Sequence, residues 1–176
     1  IMGVDAEASA RQVASVACQG DCDKAKKDYD YYGIEDCRMM SFVPGGGPKS
    51  CNNGCLGFGT CAKVCPFDAI HVVNGVAVVD KEACKACKKC IAVCPKHLIS
   101  LVPYDAKFAV ACSSKDKGPV TMKACQVGCI GCGICVKNCP NQAVTVTEFH
   151  AVIDQEKCTG CGTCAEKCPK KAIVKH

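Results

Sequence analysis

Three nearly identical cysteine runs dominate this sequence. They read CKACKKCIAVCP from Cys84, CIGCGICVKNCP from Cys129 and CTGCGTCAEKCP from Cys158. In each run three thiols spaced C-x-x-C-x-x-C can bind one small inorganic cube, and the fourth, followed by proline, reaches a neighbouring cube. An imperfect copy, CLGFGTCAKVCP, begins at Cys55. Because the pattern occurs three times intact, we expect a chain that folds around [4Fe-4S] clusters.

Disulfides and zinc are the two alternative uses of so much cysteine. The sequence holds 21 cysteines among 176 residues, a share that also occurs in secreted disulfide-rich proteins. The number is odd, the triplets are too crowded to pair with one another, and no secretory signal opens the sequence. Zinc ribbons use C-x-x-C pairs, but here a third cysteine and a Cys-Pro follow each pair. Iron–sulfur clusters therefore explain the pattern better.

An internal repeat divides the chain into two modules. A constant shift of 74 residues carries eight cysteines of the first half onto eight of the second. The first-half members are Cys51, Cys55, Cys61, Cys65, Cys84, Cys87, Cys90 and Cys94. We therefore predict an α+β fold with two tandem ferredoxin-like two-cluster modules, residues 51–101 and 125–176. A small cysteine-containing N-terminal segment, 1–50, precedes them, and a hairpin connector, 102–124, joins them.

Short strands and helices are expected between the cysteine runs. Residues 70–73 and 76–79 are rich in β-branched side chains and flank Asn74-Gly75, which favours a type I′ hairpin turn. The second module repeats this hairpin at 144–146 and 151–153. Helices are expected within 85–93 and 162–167, each ended by the following Cys-Pro.

The N-terminal segment and the connector have weaker signals. Asp5 is expected to cap a short helix that runs to Arg11, followed by a strand at 13–17. Cys112 and Cys125 are expected to lie on the two arms of the connector hairpin, with its turn near 115–118. No role follows for these two thiols.

The exchange of the fourth cysteine assigns most cluster ligands. In the second module one cluster is expected to bind Cys129, Cys132, Cys135 and Cys168. The other cluster of that module is expected to bind Cys158, Cys161, Cys164 and Cys139. In the first module one cluster is expected to bind Cys84, Cys87, Cys90 and Cys65.

The imperfect run leaves its cluster one ligand short. Phe58 stands where the repeat places Cys132, so three ligands remain: Cys55, Cys61 and Cys94. Either this site holds a three-iron cluster or another cysteine replaces the missing one, and Cys51, four residues before Cys55, is the favoured substitute. At least four [4Fe-4S] clusters are therefore expected. A fifth cluster is a further hypothesis, with Cys18, Cys22, Cys37 and either Cys51 or Cys55 as ligands; otherwise these are free or buried thiols.

Other classes of function find little support in the sequence. The histidines form no ligand or catalytic constellation, and the glycines at 45–47 lack nucleotide-binding spacing, so no catalytic residue is expected. No run of about 20 apolar residues is present, so no membrane span is expected in this segment. The formal charge is +5, but lysines among the cysteine runs are expected to compensate anionic clusters rather than bind nucleic acid. One-electron transfer is the function that this pattern predicts.

Several longer segments resemble one known family. These are VACQGDCDKAKKDYDYYGIEDC, GGGPKSCNNGCLGFGTCAKVCPFDAI, VACSSKDKG and CQVGCIGCGICVKNCP, and they resemble the B subunit of the Rnf complex in its long clostridial form. The resemblance implies a subunit of a membrane ferredoxin:NAD⁺ oxidoreductase that exports Na⁺ or H⁺, in which this chain carries electrons and makes or breaks no bonds.

The same resemblance implies partners and a location. The partners would be reduced soluble ferredoxin and the other subunits of the complex. The place would be the cytoplasmic face of the cell membrane, where an N-terminal helix outside this sequence would anchor the protein. The alternative hypothesis is a free-standing polyferredoxin that shuttles electrons between other enzymes.

Overall fold

The computed structural model describes residues 10–176. The first half of this range contains β1 (Gln12–Val16), α1 (Thr60–Lys63), β2 (Ile70–Val73), β3 (Val76–Val79), α2 (Lys89–Val93) and β4 (Ile99–Pro103). The second half contains β5 (Phe108–Val110), α3 (Gly118–Ala124), α4 (Ile134–Lys137), β6 (Val144–Thr147), β7 (His150–Ile153), α5 (Thr163–Glu166) and β8 (Ile173–Lys175). Two 3-10 segments, Cys37–Phe42 and Pro44–Gly46, lie between β1 and α1.

The two halves share one topology. In the first, β1 pairs antiparallel with β4 and β2 with β3; in the second, β5 pairs with β8 and β6 with β7. Leaving out α3, each half has the order β-α-β-β-α-β of ferredoxin-like folds. The mixed α+β class expected from the sequence is confirmed.

Both hairpins lie where the residue pattern predicts them. Asn74 and Gly75 have φ values of 47° and 75°, and a type I′ turn needs positive φ at both central residues. In the second module the hairpin turns at Glu148 and Phe149, whose φ values are 46° and 65°. The helices expected before each Cys-Pro are also present, as α2 and α5, although both are shorter than the predicted ranges.

The module boundaries differ from those expected. The strand predicted at 13–17 forms β1, and it completes the first module through its pairing with β4, so residues 12–16 pack with the first module. Likewise β5, within the expected connector, belongs to the second module. The predicted helix cap at Asp5 lies outside the described residues, and Arg11 itself is not helical.

The predicted connector hairpin is wrong. Residues 118–124 form the helix α3, with Pro119 in its first turn. Proline has a fixed φ suited to a helix start and lacks the N–H that a strand would need. The Gly-Pro pair, which suggests a turn in the sequence, is therefore the start of a helix.

Cysteines make up much of the buried interior. In the first module Cys55, Cys61, Cys84 and Cys90 are buried together with apolar side chains such as Val13. In the second module Cys129, Cys135 and Cys164 are buried beside small or branched side chains. The largest side chains that are fully buried are Met40, Val13, Thr121 and Ser114. Few large apolar side chains are fully buried, so the packing of each module depends strongly on its cysteines.

Backbone contacts join the modules directly. Lys26 N–H donates to the carbonyl of Ala124 at 2.9 Å, and Gln126 N–H donates to the carbonyl of Lys24, also at 2.9 Å. The Ser113 hydroxyl donates to the carbonyl of Asn53 at 2.9 Å. The long loop between β1 and α1 is therefore anchored to the second module.

Candidate metal centres

The first cysteine group of the second module surrounds a cavity. Cys129, Cys132, Cys135 and Cys168 all line it. Ile130 and Ile173 are among its apolar lining residues. Helix α4 carries Cys135, and the N–H of Ala151 on β7 donates to the sulfur of Cys129 at 3.4 Å. The structure thus brings together the four thiols that the exchange rule groups.

The second group of this module is identified by the effect of its thiols on the pKa of Cys164. Burial raises the pKa of the Cys164 thiol. The neighbouring thiols that raise this pKa further are Cys158, Cys139 and Cys161. The N–H of Ala143 donates to the sulfur of Cys139 at 3.3 Å. Because thiols influence one another in this way only at short range, the four members of this group lie close together.

One group of the first module resembles this arrangement. Burial raises the pKa of the Cys90 thiol, and the thiols of Cys84 and Cys87 add to the rise. Cys65 packs against the same buried set, and its sulfur accepts a hydrogen bond from the N–H of Ala69 at 3.4 Å. The N–H of Ala14 on β1 donates to the sulfur of Cys84 at 3.4 Å.

A cysteine from the long loop lies beside the three thiols of the imperfect run. One cavity is lined by four thiols, those of Cys37, Cys55, Cys61 and Cys94. Burial raises the pKa of the Cys61 thiol to about 12, and the other three thiols add to that rise. Cys51, the substitute expected from the sequence, lines a different cavity. The thiol that the structure brings to the imperfect run is therefore that of Cys37.

Polar contacts around Thr60 place Cys37 at this cavity. The N–H of Cys37 donates to the Thr60 hydroxyl at 2.8 Å, and that hydroxyl donates to the Asp36 carboxylate at 3.1 Å. Asp36 also forms an ion pair with Arg38 at 2.7 Å, which holds the pKa of the carboxyl well below its usual range. Phe58, at the position of the missing cysteine, packs edge-on against Tyr31 with ring centroids 5.6 Å apart.

The remaining cysteines do not group as the sequence hypothesis expected. Cys18 lines a cavity with Cys51, Cys112 and Cys125. Cys37 belongs to the other cavity just described, and Cys22 is exposed next to Gly75. A fifth site built from Cys18, Cys22 and Cys37 is therefore not what the structure brings together. Neither Cys37 nor the grouping around Cys18 belongs to a sequence motif, so spacing alone could not identify them.

The thiols fit polynuclear clusters better than single ions. Across residues 10–176, no three Cys, His, Asp or Glu side chains converge closely enough to bind one metal ion. The thiols instead surround small cavities, and several sulfurs accept hydrogen bonds from nearby backbone N–H groups. Buried thiolates without a cation would be costly. An iron–sulfur core that fills the cavity supplies that positive charge.

Comparisons with known proteins agree with this geometry. Residues 47–95 and 128–172 each match the model of a 4Fe-4S dicluster domain. The B subunit of a Na⁺-translocating ferredoxin:NAD⁺ oxidoreductase complex from Acetobacterium woodii is 45% identical over 89% of this chain. A proton-translocating counterpart from Clostridium ljungdahlii is 47% identical over 82% of it. The chain belongs to the family of Rnf B subunits.

The Rnf relatives are longer than this chain. It spans 47% of the Acetobacterium protein and 51% of the Clostridium one. The B subunit of an ion-translocating oxidoreductase complex from Methanosarcina acetivorans, 42% identical over 89% of this chain, is 60% spanned. The chain thus spans about half the length of the relatives it matches, and its dicluster domains are of a kind that binds [4Fe-4S] clusters. None of the helices described in residues 10–176 has the length and apolar character to cross a bilayer.

Proposed function

We propose that this chain is the electron-carrying part of an Rnf-type ferredoxin:NAD⁺ oxidoreductase. It receives electrons from reduced soluble ferredoxin and passes them to other subunits of a membrane complex that exports Na⁺ or H⁺. The observation that carries this proposal is the set of cavities bounded by four thiols each, in a chain of the Rnf B-subunit family. A [4Fe-4S] cluster bound in such a cavity accepts and gives up single electrons.

The proposed ligands follow from the cavities and the exchange rule together. In the second module they are Cys129, Cys132, Cys135 and Cys168 for one cluster, and Cys158, Cys161, Cys164 and Cys139 for the other. In the first module they are Cys84, Cys87, Cys90 and Cys65 for one cluster. For the imperfect run they are Cys55, Cys61, Cys94 and, in place of the missing cysteine, Cys37. The geometry of four thiols around this last cavity favours a four-iron cluster there over a three-iron one.

The protein around each site has two roles. It excludes water from one side, since the first or third thiol of each run is buried. It also directs backbone N–H groups at the sulfurs, and hydrogen bonds of this kind adjust the potential of a cluster. At the same time Cys87, Cys132 and Cys161 are exposed, so one corner of each intact run faces solvent. These three exposed corners are where we place electron exchange with partners.

Metal analysis and electron transfer test this function. The anaerobically purified chain should contain iron and acid-labile sulfide in equal amounts, at least about 16 of each per chain. Reduced ferredoxin should bleach its visible absorbance, and the reduced protein should give EPR signals of interacting clusters. A colourless protein loaded with zinc would overturn the proposal.

A free-standing polyferredoxin is the alternative that must be separated from the Rnf role. Both share the metal sites, so the iron content does not distinguish them. The native protein should be recovered from washed membranes together with other redox subunits. Recovery of the full-length protein alone in the soluble fraction, with its clusters intact, would favour the alternative.

A further inference from the structure

We propose that Cys18, Cys51, Cys112 and Cys125 bind a fifth [4Fe-4S] cluster, shared between the two modules. The inference rests on the proposed function, because it assumes that the chain is assembled with iron–sulfur clusters. It goes beyond that function in adding a site that no cysteine run specifies. The site uses Cys112 and Cys125, for which no role follows from the cysteine spacing.

The cavity at these four thiols matches the other cluster cavities in size. A sphere the size of a water molecule can enter about 20 Å³ of it, as at each of the two cluster sites that also form cavities. Small residues line it, among them Gly20 and Gly54. A Cβ added to Gly20 would lie 3.2 Å from the sulfur of Cys125 and 3.8 Å from that of Cys18. A side chain at Gly20 would therefore crowd the sulfurs, and glycine leaves that position clear.

The four thiols come together across the module boundary. Cys18 and Cys51 of the first module line the same cavity as Cys112 and Cys125 of the second. Gly20 lies beside a thiol of each module, since a Cβ there would contact the sulfurs of both Cys125 and Cys18.

Backbone donors serve these sulfurs as they serve the predicted ligands. The N–H of Cys55 donates to the sulfur of Cys18 at 3.3 Å, and the N–H of Cys129 donates to the sulfur of Cys112 at 3.2 Å. The corresponding bonds to the run cysteines are 3.3 to 3.4 Å long. Two of the four sulfurs at the shared cavity are thus hydrogen-bonded like those of the other sites.

The two halves contribute equivalent residues. Cys18 follows β1 by two residues, and Cys112 follows β5 by two residues. Cys51 and Cys125 each lie four residues before the first cysteine of a run, and the 74-residue shift maps one onto the other. Each module alone supplies only two ligands, so the site needs both. The backbones of Ala25 and Cys125 pair in an isolated antiparallel β-bridge, which joins the two halves at this cavity.

A buried cation beside the cavity is consistent with an anionic cluster. Lys49 lines it and is only 5% exposed. Its ammonium donates to the carbonyls of Gly20 at 2.8 Å and Gly75 at 2.9 Å. It forms no ion pair with a carboxylate of the described residues. A buried ammonium needs a compensating negative charge, and a cluster held by four thiolates provides it.

The iron content of matched variants tests the shared site. We expect about 20 irons per chain in the anaerobically purified protein and about four fewer in Cys112→Ser and in Cys125→Ser. Cys22→Ser is the control, because Cys22 is exposed and belongs to none of the groups. Equal iron in all four proteins, near 16 per chain, would overturn the shared site and leave the proposed function standing. A parent protein without iron would instead overturn the proposed function.

Thiol footprinting of the unaltered protein gives a test that needs no variant to fold. The iron-loaded chain is treated with iodoacetamide without oxygen, and the modified cysteines are located by mass spectrometry. We expect modification of Cys22 alone among the cysteines, with all the others protected. Modification of Cys18, Cys51, Cys112 and Cys125, while the run cysteines stay protected, would show that these four are free thiols and would refute the shared cluster.

Discussion

The thiol of Cys37 illustrates how one residue can replace a ligand missing from a motif. It lies 18 residues before Cys55 in the sequence, yet both line one cavity with Cys61. Its position depends on a hydrogen bond from its own N–H to Thr60 rather than on spacing. A side chain that is held by its backbone in this way can act as a ligand without any motif around it.

Removal of Cys37 should affect only the cluster of the imperfect run. In Cys37→Ala we expect Cys55, Cys61 and Cys94 to become accessible to iodoacetamide, because their cluster loses a ligand. In the matched variant Cys51→Ala the same three thiols should stay protected. Footprinting of both iron-loaded proteins by mass spectrometry checks this. The opposite result, with protection lost in Cys51→Ala alone, would restore Cys51 as the fourth ligand.

Loss of the Thr60 hydroxyl should loosen the same site. Thr60 is buried, and its hydroxyl links the N–H of Cys37 to the carboxylate of Asp36. One such hydrogen bond contributes about 1 kcal/mol, so Thr60→Val should speed the chelator-induced loss of this cluster by roughly fivefold. Thr60→Ser keeps the hydroxyl and serves as the control. Loss rates are followed by visible absorbance, and equal rates in the two variants would contradict this role.

At the scale of elements, the short hairpins and helices position the thiols. The β2–β3 hairpin places Ala77 so that its backbone hydrogen-bonds the thiol of Cys55, and the equivalent hairpin places Ala151 at Cys129. Such elements are too short to be stable alone. Hydrogen bonds from their backbone N–H groups to cysteine sulfurs help to stabilise them. A substitution in a turn should therefore change the stability of the cluster bound by those sulfurs.

The turn at Gly75 offers a test of this connection. Gly75 has a φ of 75°, and a Cβ there would lie 2.6 Å from the sulfur of Cys22. Gly75→Ala should therefore destabilise the hairpin by about 1 kcal/mol, because alanine is strained in this left-handed backbone conformation, with a further loss from the contact. The double variant Cys22→Ala/Gly75→Ala removes the contact and isolates the backbone part. The temperature at which cluster absorbance is lost should fall most in the single variant, and identical temperatures in both would show that the contact has no effect.

At the scale of the whole molecule, much of the fold can be predicted because the cysteine runs determine both spacing and topology. The intact runs and the repeat are enough to predict two modules, the hairpin at Asn74-Gly75 and the short helices. They cannot predict that β1 and β5 complete the modules, because pairing between strands far apart in the sequence leaves no local pattern. The runs also favour Cys51 beside the imperfect run, whereas the structure places Cys37 at that cavity. Cys51 lies instead at a cavity that forms only when the two modules pack together, and no local pattern in the sequence indicates it.

The whole set of clusters should be lost more readily as the pH falls. Burial raises the pKa of Cys61 to about 12 and that of Cys135 to about 11, so these thiols hold protons in the metal-free fold at neutral pH. Cluster binding must release those protons, and its stability therefore rises with pH throughout the range below these pKa values. Chelator-induced loss of absorbance should be faster at about pH 6 than at about pH 9. A rate that does not change with pH would argue against proton competition.

The matched thiol pairs at the boundary have an implication for ancestry. A single module with the equivalents of Cys18 and Cys51 could fill such a site only by meeting a second copy of itself. That is the arrangement of an isologous homodimer, in which both subunits offer the same patch across a two-fold axis. Fusion of two such subunits into one polypeptide would preserve the contact and free each half to diverge, as Phe58 in one half and Cys132 in the other already have.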